Sequence, residues 1–277
     1  MKHILFSLAA LFLTAGSYAQ PWQDAKIWQQ NREPMYARIV PCATSEGAVT
    51  HSEVRRTSLN GTWKFFFAKN NDEAPQKFYE TGYDVSTWSD IKVPGSWELQ
   101  KFDAPIYTDT RYPFPANPPY VPTSYNPVGS YVRTFDYHPG NRAGELFLIF
   151  EGVESAFYVY LNGVEVGYSE DSRLDARFRV TKLLRDGKNT LAVKVFRYSD
   201  GSYMEDQDYW KYSGIERNVY IEERAASRVE DYKLVAGLKD DFTNGDFALE
   251  LKPNAGCKKG TKIKVEVLDG TKIVFEK

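Results

Sequence analysis

An all-β sandwich of jelly-roll type is the fold that this sequence predicts, and three observations predict it. Aromatic residues make up 15% of the chain, with 19 Tyr and 17 Phe, a composition that suits pleated, half-buried surfaces. Past residue 55 the apolar residues recur mainly at every second position, as on a strand with one face in a core. Turn signals such as Asn162-Gly163 separate the runs, and no long helical segment intervenes. Strands at this spacing close best as packed antiparallel sheets.

The elements follow in order. The opening "MKHILFSLAALFLTAGSYAQ" has a basic start, an apolar run from Ile4 to Leu13 and the small-x-small pattern Ser17-Tyr18-Ala19. It reads as a signal peptide over residues 1–19, cleaved after Ala19 to leave Gln20 first, so the mature protein is expected to be periplasmic or secreted. The apolar run is short for a bilayer span, which disfavours a membrane anchor. Residues 20–55 are polar and broken by Pro34 and Pro41, and read as an N-terminal extension lying across a domain surface, with "WQDAKIWQQN" as a short helical turn.

The jelly-roll domain is expected over 56–224. It opens with "LNGTWKFFF", in which Trp63, Phe65 and Phe67 alternate onto one face. Residues 103–128 hold half of the chain's 14 prolines, which excludes a regular strand or helix running across them and leaves a stiff, aromatic loop. Loops of that length are uncommon in compact domains and lean toward function, a structural Ω-loop being the alternative. The strands "SYVRTFDY", "ELFLIFEGV", "SAFYVYLNGVEVGYS" and "FRVTKLLRDGKNTLAVKVF" follow, with Asn162-Gly163 and Asp186-Gly187 at the turns. Trp63, Trp88 and Trp97 are expected in the core. Residues 225–277 change to shorter alternating strands with turns at Asn244-Gly245 and Asp269-Gly270, and read as the start of an immunoglobulin-like sandwich. Such a sandwich needs about 100 residues, so we expect this domain to be incomplete and the chain to be a piece of a longer protein.

A net charge of −2 gives no footprint for nucleic acid or for an anionic membrane. Only His51 and His138 follow the leader, and no Cys/His cluster has metal-ligand spacing, so zinc chemistry and a histidine triad both lack parts. The two cysteines, Cys42 and Cys257, lie in different segments and are expected to stay unpaired.

The stretch "SDGSYMEDQDYWKYSG", residues 199–214, sets Asp200, Glu205, Asp206 and Asp208 among Tyr203, Tyr209, Trp210 and Tyr212. Acids beside ring faces suit a sugar, because carboxylates accept from hydroxyls while apolar C–H faces pack on rings. A structured loop buttressing a sandwich is the other reading.

The segments "LNGTWKF", "VPGSWELQKFDAPIYTDTRYPF", "NPVGSYVRTF", "FEGVESAFYVYLNGVEVGYSEDSRLDARF" and "FRYSDGSYMEDQDYWKYSGIERNVYI" occur in order from Leu59 to Ile221. They resemble the N-terminal sugar-binding domain of the β-galactosidases of glycoside hydrolase family two. The resemblance implies a jelly roll, an immunoglobulin-like domain and a (β/α)₈ barrel that carries the paired glutamates of a retaining glycosidase. This chain is too short to hold that barrel as well, so it is expected to have no catalytic residue and to hydrolyse no galactoside alone. The resemblance implies that Asp208 contacts the galactosyl hydroxyls and ligates sodium jointly with the barrel, a hard cation suiting carboxylate oxygen. It also implies sodium and magnesium for the complete enzyme, a galactoside substrate, the remaining domains as partners, and a homo-oligomer. Asp109 stands where the family usually has a second substrate-binding residue, an asparagine; a carboxylate there only accepts, whereas an amide also donates. Asp200, Glu205 and Asp206 are expected to stabilise the loop, and Tyr209 and Trp210 either to line the sugar pocket or to pack beneath it. A stand-alone carbohydrate-binding module, or a β-glucuronidase or β-mannosidase of the same family, are the alternatives.

Overall fold

The computed structural model describes residues 20–52, 54–138 and 144–277. The leader expected at residues 1–19 lies outside the described residues. Strands dominate and all their pairings are antiparallel. A seven-stranded sheet runs from Gln29–Gln30 through Val164–Ser169, Ala156–Leu161, Gly187–Phe196, Val128–Tyr137 and Gly61–Ala68 to Ser89–Val93. A four-stranded sheet, in the order Ala176–Arg179, Gly144–Phe150, Val219–Ala225 and Arg56–Ser58, packs against it. The two inner faces supply the core, where Trp63, Phe65, Tyr131, Phe157, Leu191 and Val193 of the large sheet meet Leu148, Phe150, Phe178 and Ile221 of the small one. This is the all-β sandwich that the alternation predicts.

Particular residues explain the local geometry. Trp63 and Phe65 are buried and Phe67 packs half-buried on the same cluster, as period two demands. Asn162 and Gly163 have φ of 54° and 85°, so both central residues of that hairpin turn are left-handed, the backbone that joins two right-twisted strands in two residues. Trp97 and Trp88 are buried with Trp63. Cys42 and Cys257 are free thiols.

Two expectations need correction. The N-terminal extension does not merely lie across a surface: Gln29–Gln30 pairs with Tyr168 and Ser169 as the edge strand of the large sheet. Trp22, from a single turn of 3-10 helix at Pro21–Gln23, is buried and stacks on Phe196 at 4.9 Å. Isolated apolar residues in a polar run carry no periodicity, which is why their burial is invisible before folding. Beyond Ala225, the hairpin Val229–Leu238 with Gly245–Pro253 does not turn on Asn244-Gly245 alone. Its loop is wider, and the Asp241 carboxylate accepts from the amides of Thr243 and Asn244, both at 3.0 Å. A local side-chain acceptor replaces the two-residue turn. The last hairpin, Glu266–Asp269 with Lys272–Glu276, turns one residue later than expected, on Gly270-Thr271, because Asp269 still pairs with Lys272; Gly270 has φ of 60°.

No helix among the described residues is long and apolar enough to cross a membrane.

Candidate functional site

Two loops, 70 to 100 residues apart in sequence, build one end of the sandwich. The proline-rich loop is held at both ends by the segment that leaves the central strand Gly187–Phe196. At its start the buried Arg197 guanidinium pairs with Asp103 and donates to the Ala104 carbonyl at 3.2 Å. At its end Asn126 and Tyr198 exchange two hydrogen bonds of 2.9 Å. In between, the Tyr203 hydroxyl donates to the Tyr120 carbonyl at 2.7 Å and accepts from the Asn117 amide at 2.9 Å. Beneath both loops lies a satellite core in which Trp22, Val121, Phe196 and Tyr198 are buried and Phe114 and Tyr203 half-buried. A stretch rich in proline has little conformational freedom to lose, so a few such anchors suffice to order it.

The acidic loop begins with a 3-10 turn, Asp200–Tyr203, closed by a reciprocal cap between Ser199 and Ser202. Its four acids have different environments. Glu205 accepts from the Ser172 amide at 2.8 Å and the Ser172 hydroxyl at 2.6 Å. Asp206 pairs with Lys211 at 2.6 Å. Asp200 is buried near Glu170, and burial raises the pKa of both carboxyls, with the charge of Asp200 adding to that of Glu170. Asp208 alone is exposed at the loop's end, where the Tyr107 hydroxyl donates to it at 2.5 Å.

That contact comes from a two-stranded ribbon, Ile106–Thr108 with Tyr209–Lys211, in which Tyr209 faces Thr108 and Trp210 faces Tyr107. The residues just past Thr108 and just before Tyr209 are Asp109 and Asp208, so the ribbon brings both predicted site residues to one end. Hydrogen bonding to Asp208 and the charge of Asp208, with a smaller contribution from Asp109, raise the pKa of the Tyr107 hydroxyl. Tyr107 is half-exposed, and so is Trp210 beside it, with ring centroids 5.6 Å apart. Trp210 in turn stacks on Tyr212 at 6.3 Å and 15°. Tyr209 turns the other way, between the cations of Arg173 and Lys211, and its hydroxyl donates to the Glu205 carbonyl. Trp210 thus faces outward while Tyr209 packs beneath the loop.

Other carboxyls in this region have raised pKa values, and structural roles account for them. Burial pushes Glu98 up to about 7 and Glu154 up to about 8. Each nevertheless faces an arginine, Glu98 at 3.8 Å from Arg197 and Glu154 at 2.5 Å from Arg173. The cavity next to Glu154, lined also by Arg197, Glu205, Asp206 and Lys211, has a volume of about 30 Å³, room for about one water. It cannot admit a sugar. Among the described residues no three His, Cys, Asp or Glu side chains converge to hold a metal ion, so a cation bound at Asp208 would need ligands from elsewhere.

Residues 56–224 match the family model "Glycosyl hydrolases family 2, sugar binding domain". The chain belongs to that family. The family 2 chain is 40% identical over 242 residues to a β-galactosidase of Priestia megaterium, covering 85% of itself and 23% of that protein. It is 44% identical over 199 residues to a β-galactosidase of Pectobacterium atrosepticum, covering 72% of itself and 19% of that protein. It therefore spans about a quarter of the length of the curated relatives it matches. Among solved structures, a β-glucuronidase from an uncultured Clostridium sp. shares its fold with a TM-score of 0.58 at 23% identity, over 80% of this chain and 37% of that one.

Within the family 2 chain, sequence reasoning missed Tyr107 and Glu170. Tyr107 reaches Asp208 across 101 positions of sequence, and nothing local to "IYT" announces that partner. Glu170 follows a strand of period two, and only the fold lays it under Asp200.

Proposed function

We propose that this chain is the non-catalytic N-terminal part of an exported, retaining β-galactosidase, and that it lends a loop to a sugar and sodium site completed by a catalytic barrel. One observation carries the reading: the ribbon sets Asp208 and Asp109 side by side, exposed, at the end of a loop whose other acids are all engaged internally. An exposed carboxylate at a loop tip, oriented by the Tyr107 hydroxyl, keeps acceptor capacity for a sugar hydroxyl or a hard cation. The named relatives at 40% identity and above act as β-galactosidases, which favours a terminal galactoside over a glucuronide. The likeness to glucuronidases rests on fold alone.

In this reading Asp208 orients the galactosyl ring and Tyr107 holds the Asp208 carboxylate in place. Asp109 adds a second acceptor where an amide would also donate. Two acceptor-only groups then share the pocket, and the cation relieves their repulsion. The chain by itself supplies no acid and nucleophile pair for retaining hydrolysis.

The test uses the full-length enzyme together with the isolated chain. The isolated chain should not hydrolyse a chromogenic β-galactoside. In the full-length enzyme Asp208→Ala should lower kcat/KM at least about tenfold, the loss of a charge-assisted hydrogen bond of about 1.5 to 3 kcal/mol. Asp109→Asn should be near neutral and should weaken the dependence on sodium. Unchanged kcat/KM and unchanged sodium dependence in Asp208→Ala would remove this residue from the site.

A further inference from the structure

Three Asn-Gly pairs occur in the chain, Asn60-Gly61, Asn162-Gly163 and Asn244-Gly245. Glycine has no Cβ, so it hinders least an approach of its own amide nitrogen to the side-chain carbon of the preceding asparagine. The fold treats the three pairs differently. Asn162 is buried, its Nδ2 donates to the Leu183 carbonyl at 2.9 Å and to Asn189 Oδ1 at 2.8 Å, and its Oδ1 accepts from the Thr190 amide at 3.0 Å. Both amide hydrogens and the oxygen are thus engaged. Asn60 donates to Asn218 Oδ1 at 2.8 Å and accepts from the Val219 amide at 2.9 Å. The glycines of these two pairs are covered as well: a Cβ on Gly61 would lie 3.1 Å from the Arg133 guanidinium, and one on Gly163 would lie 3.2 Å from the Thr81 hydroxyl. Asn244 and Gly245, by contrast, are exposed at the tip of the hairpin formed by Val229–Leu238 and Gly245–Pro253. The Asn244 Nδ2 donates to the exposed Asp241 carboxylate at 2.6 Å, a bond for which water competes. A Cβ on Gly245 would meet the Gly237 carbonyl oxygen at 3.9 Å, an ordinary contact. The Lys239 amide donates to the Asn244 carbonyl at 2.9 Å, so the next pair inward, Leu238 with Gly245, is a non-bonded one and turns the Gly245 amide out of this two-stranded sheet.

We propose that Asn244-Gly245 is a site of spontaneous deamidation, which converts the tip of this hairpin to isoaspartate and loosens it. Hydroxide is the base and water the co-reactant. Hydroxide takes the proton of the Gly245 amide, and that nitrogen attacks Cγ of Asn244. The new N–Cγ bond closes a five-membered succinimide, the Cγ–Nδ2 bond breaks, and Nδ2 leaves as ammonia with a proton from water. Water then adds to one of the two imide carbonyls and the C–N bond at that carbon breaks. Opening at Cγ gives aspartate, and opening at the main-chain carbonyl gives isoaspartate. Nothing is oxidised or reduced: the chain loses one ammonia and gains one water. The first step needs an open glycine amide and a side chain able to turn toward it. The exposed hairpin tip offers both, whereas the sandwich holds Asn60 and Asn162 still. The product sets a carboxylate where Nδ2 had donated to Asp241, in a loop that already holds Asp240, Asp241 and Asp246. The loop therefore loses a hydrogen bond and gains a like-charge repulsion.

The experiment ages the purified chain at mildly alkaline pH, digests samples at mildly acidic pH, and follows the peptides that carry the three pairs by mass spectrometry. Isoaspartate is read by its separate elution from aspartate and by enzymatic methylation of its carboxylate. In the folded chain Asn244 should convert at least about tenfold faster than Asn60 or Asn162, because those two must wait for the sandwich to open. In urea the three rates should come within about threefold of one another, since the dipeptide is the same and the fold no longer protects any of them. Gly245→Ala, whose methyl group meets ordinary contacts, should leave the circular dichroism unchanged and slow Asn244 by at least about tenfold. Aged wild-type chain should exchange amides faster across Val229–Leu238 and Gly245–Pro253, and aged Gly245→Ala chain should not. Equal rates at the three sites of the folded chain, or earlier conversion of Asn60 or Asn162, would overturn the assignment. So would an Asn244 that stays intact in the folded chain while it converts in urea. Unchanged amide exchange in fully converted chain would overturn the loosening.

Discussion

Glu170 shows how one buried side chain can govern a loop that it does not belong to. It is 5% exposed, accepts from the Tyr168 hydroxyl at 2.5 Å, and lies near the Asp200 carboxyl. Two buried carboxyls disfavour being charged together, and burial, with the charges of Asp200 and Glu205 behind it, pushes Glu170 up to about 8. Asp24 adds to the raised pKa of Asp200, whose first cause is also burial. A carboxyl whose folded pKa lies above its unfolded value binds its proton more tightly when folded. Its contribution to stability is full below the ordinary glutamate range and is lost as pH rises through about 8. Glu98 and Glu154 have the same sign. The Tm of the chain should therefore fall from pH 5 to pH 8. Glu170→Gln, which keeps a donor toward Asp200 without titrating, should flatten part of that slope. Thermal melts at half-unit steps read it, and a slope identical to the wild type would show that Glu170 is not the group whose proton carries that slope.

The two interlocked loops act as one element, and Glu205 is the tie that fastens the acidic loop to the sandwich. Its carboxylate takes both the amide and the hydroxyl of Ser172, on the turn that follows the strand Val164–Ser169. Each charge-assisted bond contributes about 1.5 to 3 kcal/mol, so Glu205→Ala should raise amide exchange across residues 200–208 by at least about tenfold. Exchange in the central strand Val128–Tyr137 should not change, because that strand lies between two others in the large sheet. Equal protection of the loop in wild type and variant would mean that the satellite core alone orders it. The same element holds Gly214 of "SGIERNV" at φ of 117°, where a Cβ would lie 2.8 Å from the Tyr131 hydroxyl. No other residue fits both that backbone and that space.

Across the whole molecule, a chain of ion pairs joins the N-terminal segment, the small sheet and the hairpin that follows it. From Glu33 it passes through Arg179 and Glu145 to Arg228, which bonds Glu145 at 2.6 Å and Glu230 at 2.7 Å. From Glu230 it continues through Arg224 and Glu222 to Arg56, with separations of 3.5, 2.9 and 2.8 Å. Arg228 is largely buried between two carboxylates, so removing it leaves Glu145 to Arg179 and leaves Glu230 to Arg224 at 3.5 Å. Breaking such a pair costs about 3 to 5 kcal/mol where burial is complete, and less here because Glu145 is partly solvated. Arg228→Ala should lower the Tm by several degrees and raise amide exchange in Val229–Leu238. A variant with unchanged melting and exchange would show that the network is solvated in practice and contributes little.

What the sequence determined by itself was everything that rests on short-range pattern. Alternation marked Trp63 and Phe65 as inward, Asn162-Gly163 marked its own turn, the prolines marked an irregular loop, and the ordered motifs marked the family. The concentration of acids and rings in residues 199–214 was equally legible, but their division of labour was not. Glu205, Asp206 and Asp200 face inward and Asp208 faces out because of partners at Ser172, Lys211, Glu170 and Tyr107, three of them more than 25 residues away. Only tertiary structure decided that Asp109 and Asp208 share one end of a ribbon and that Trp22 enters a core. A strand pairing or a buried contact between distant segments is selected by the energy of the assembled fold, and the local chemistry of either segment carries no record of its partner.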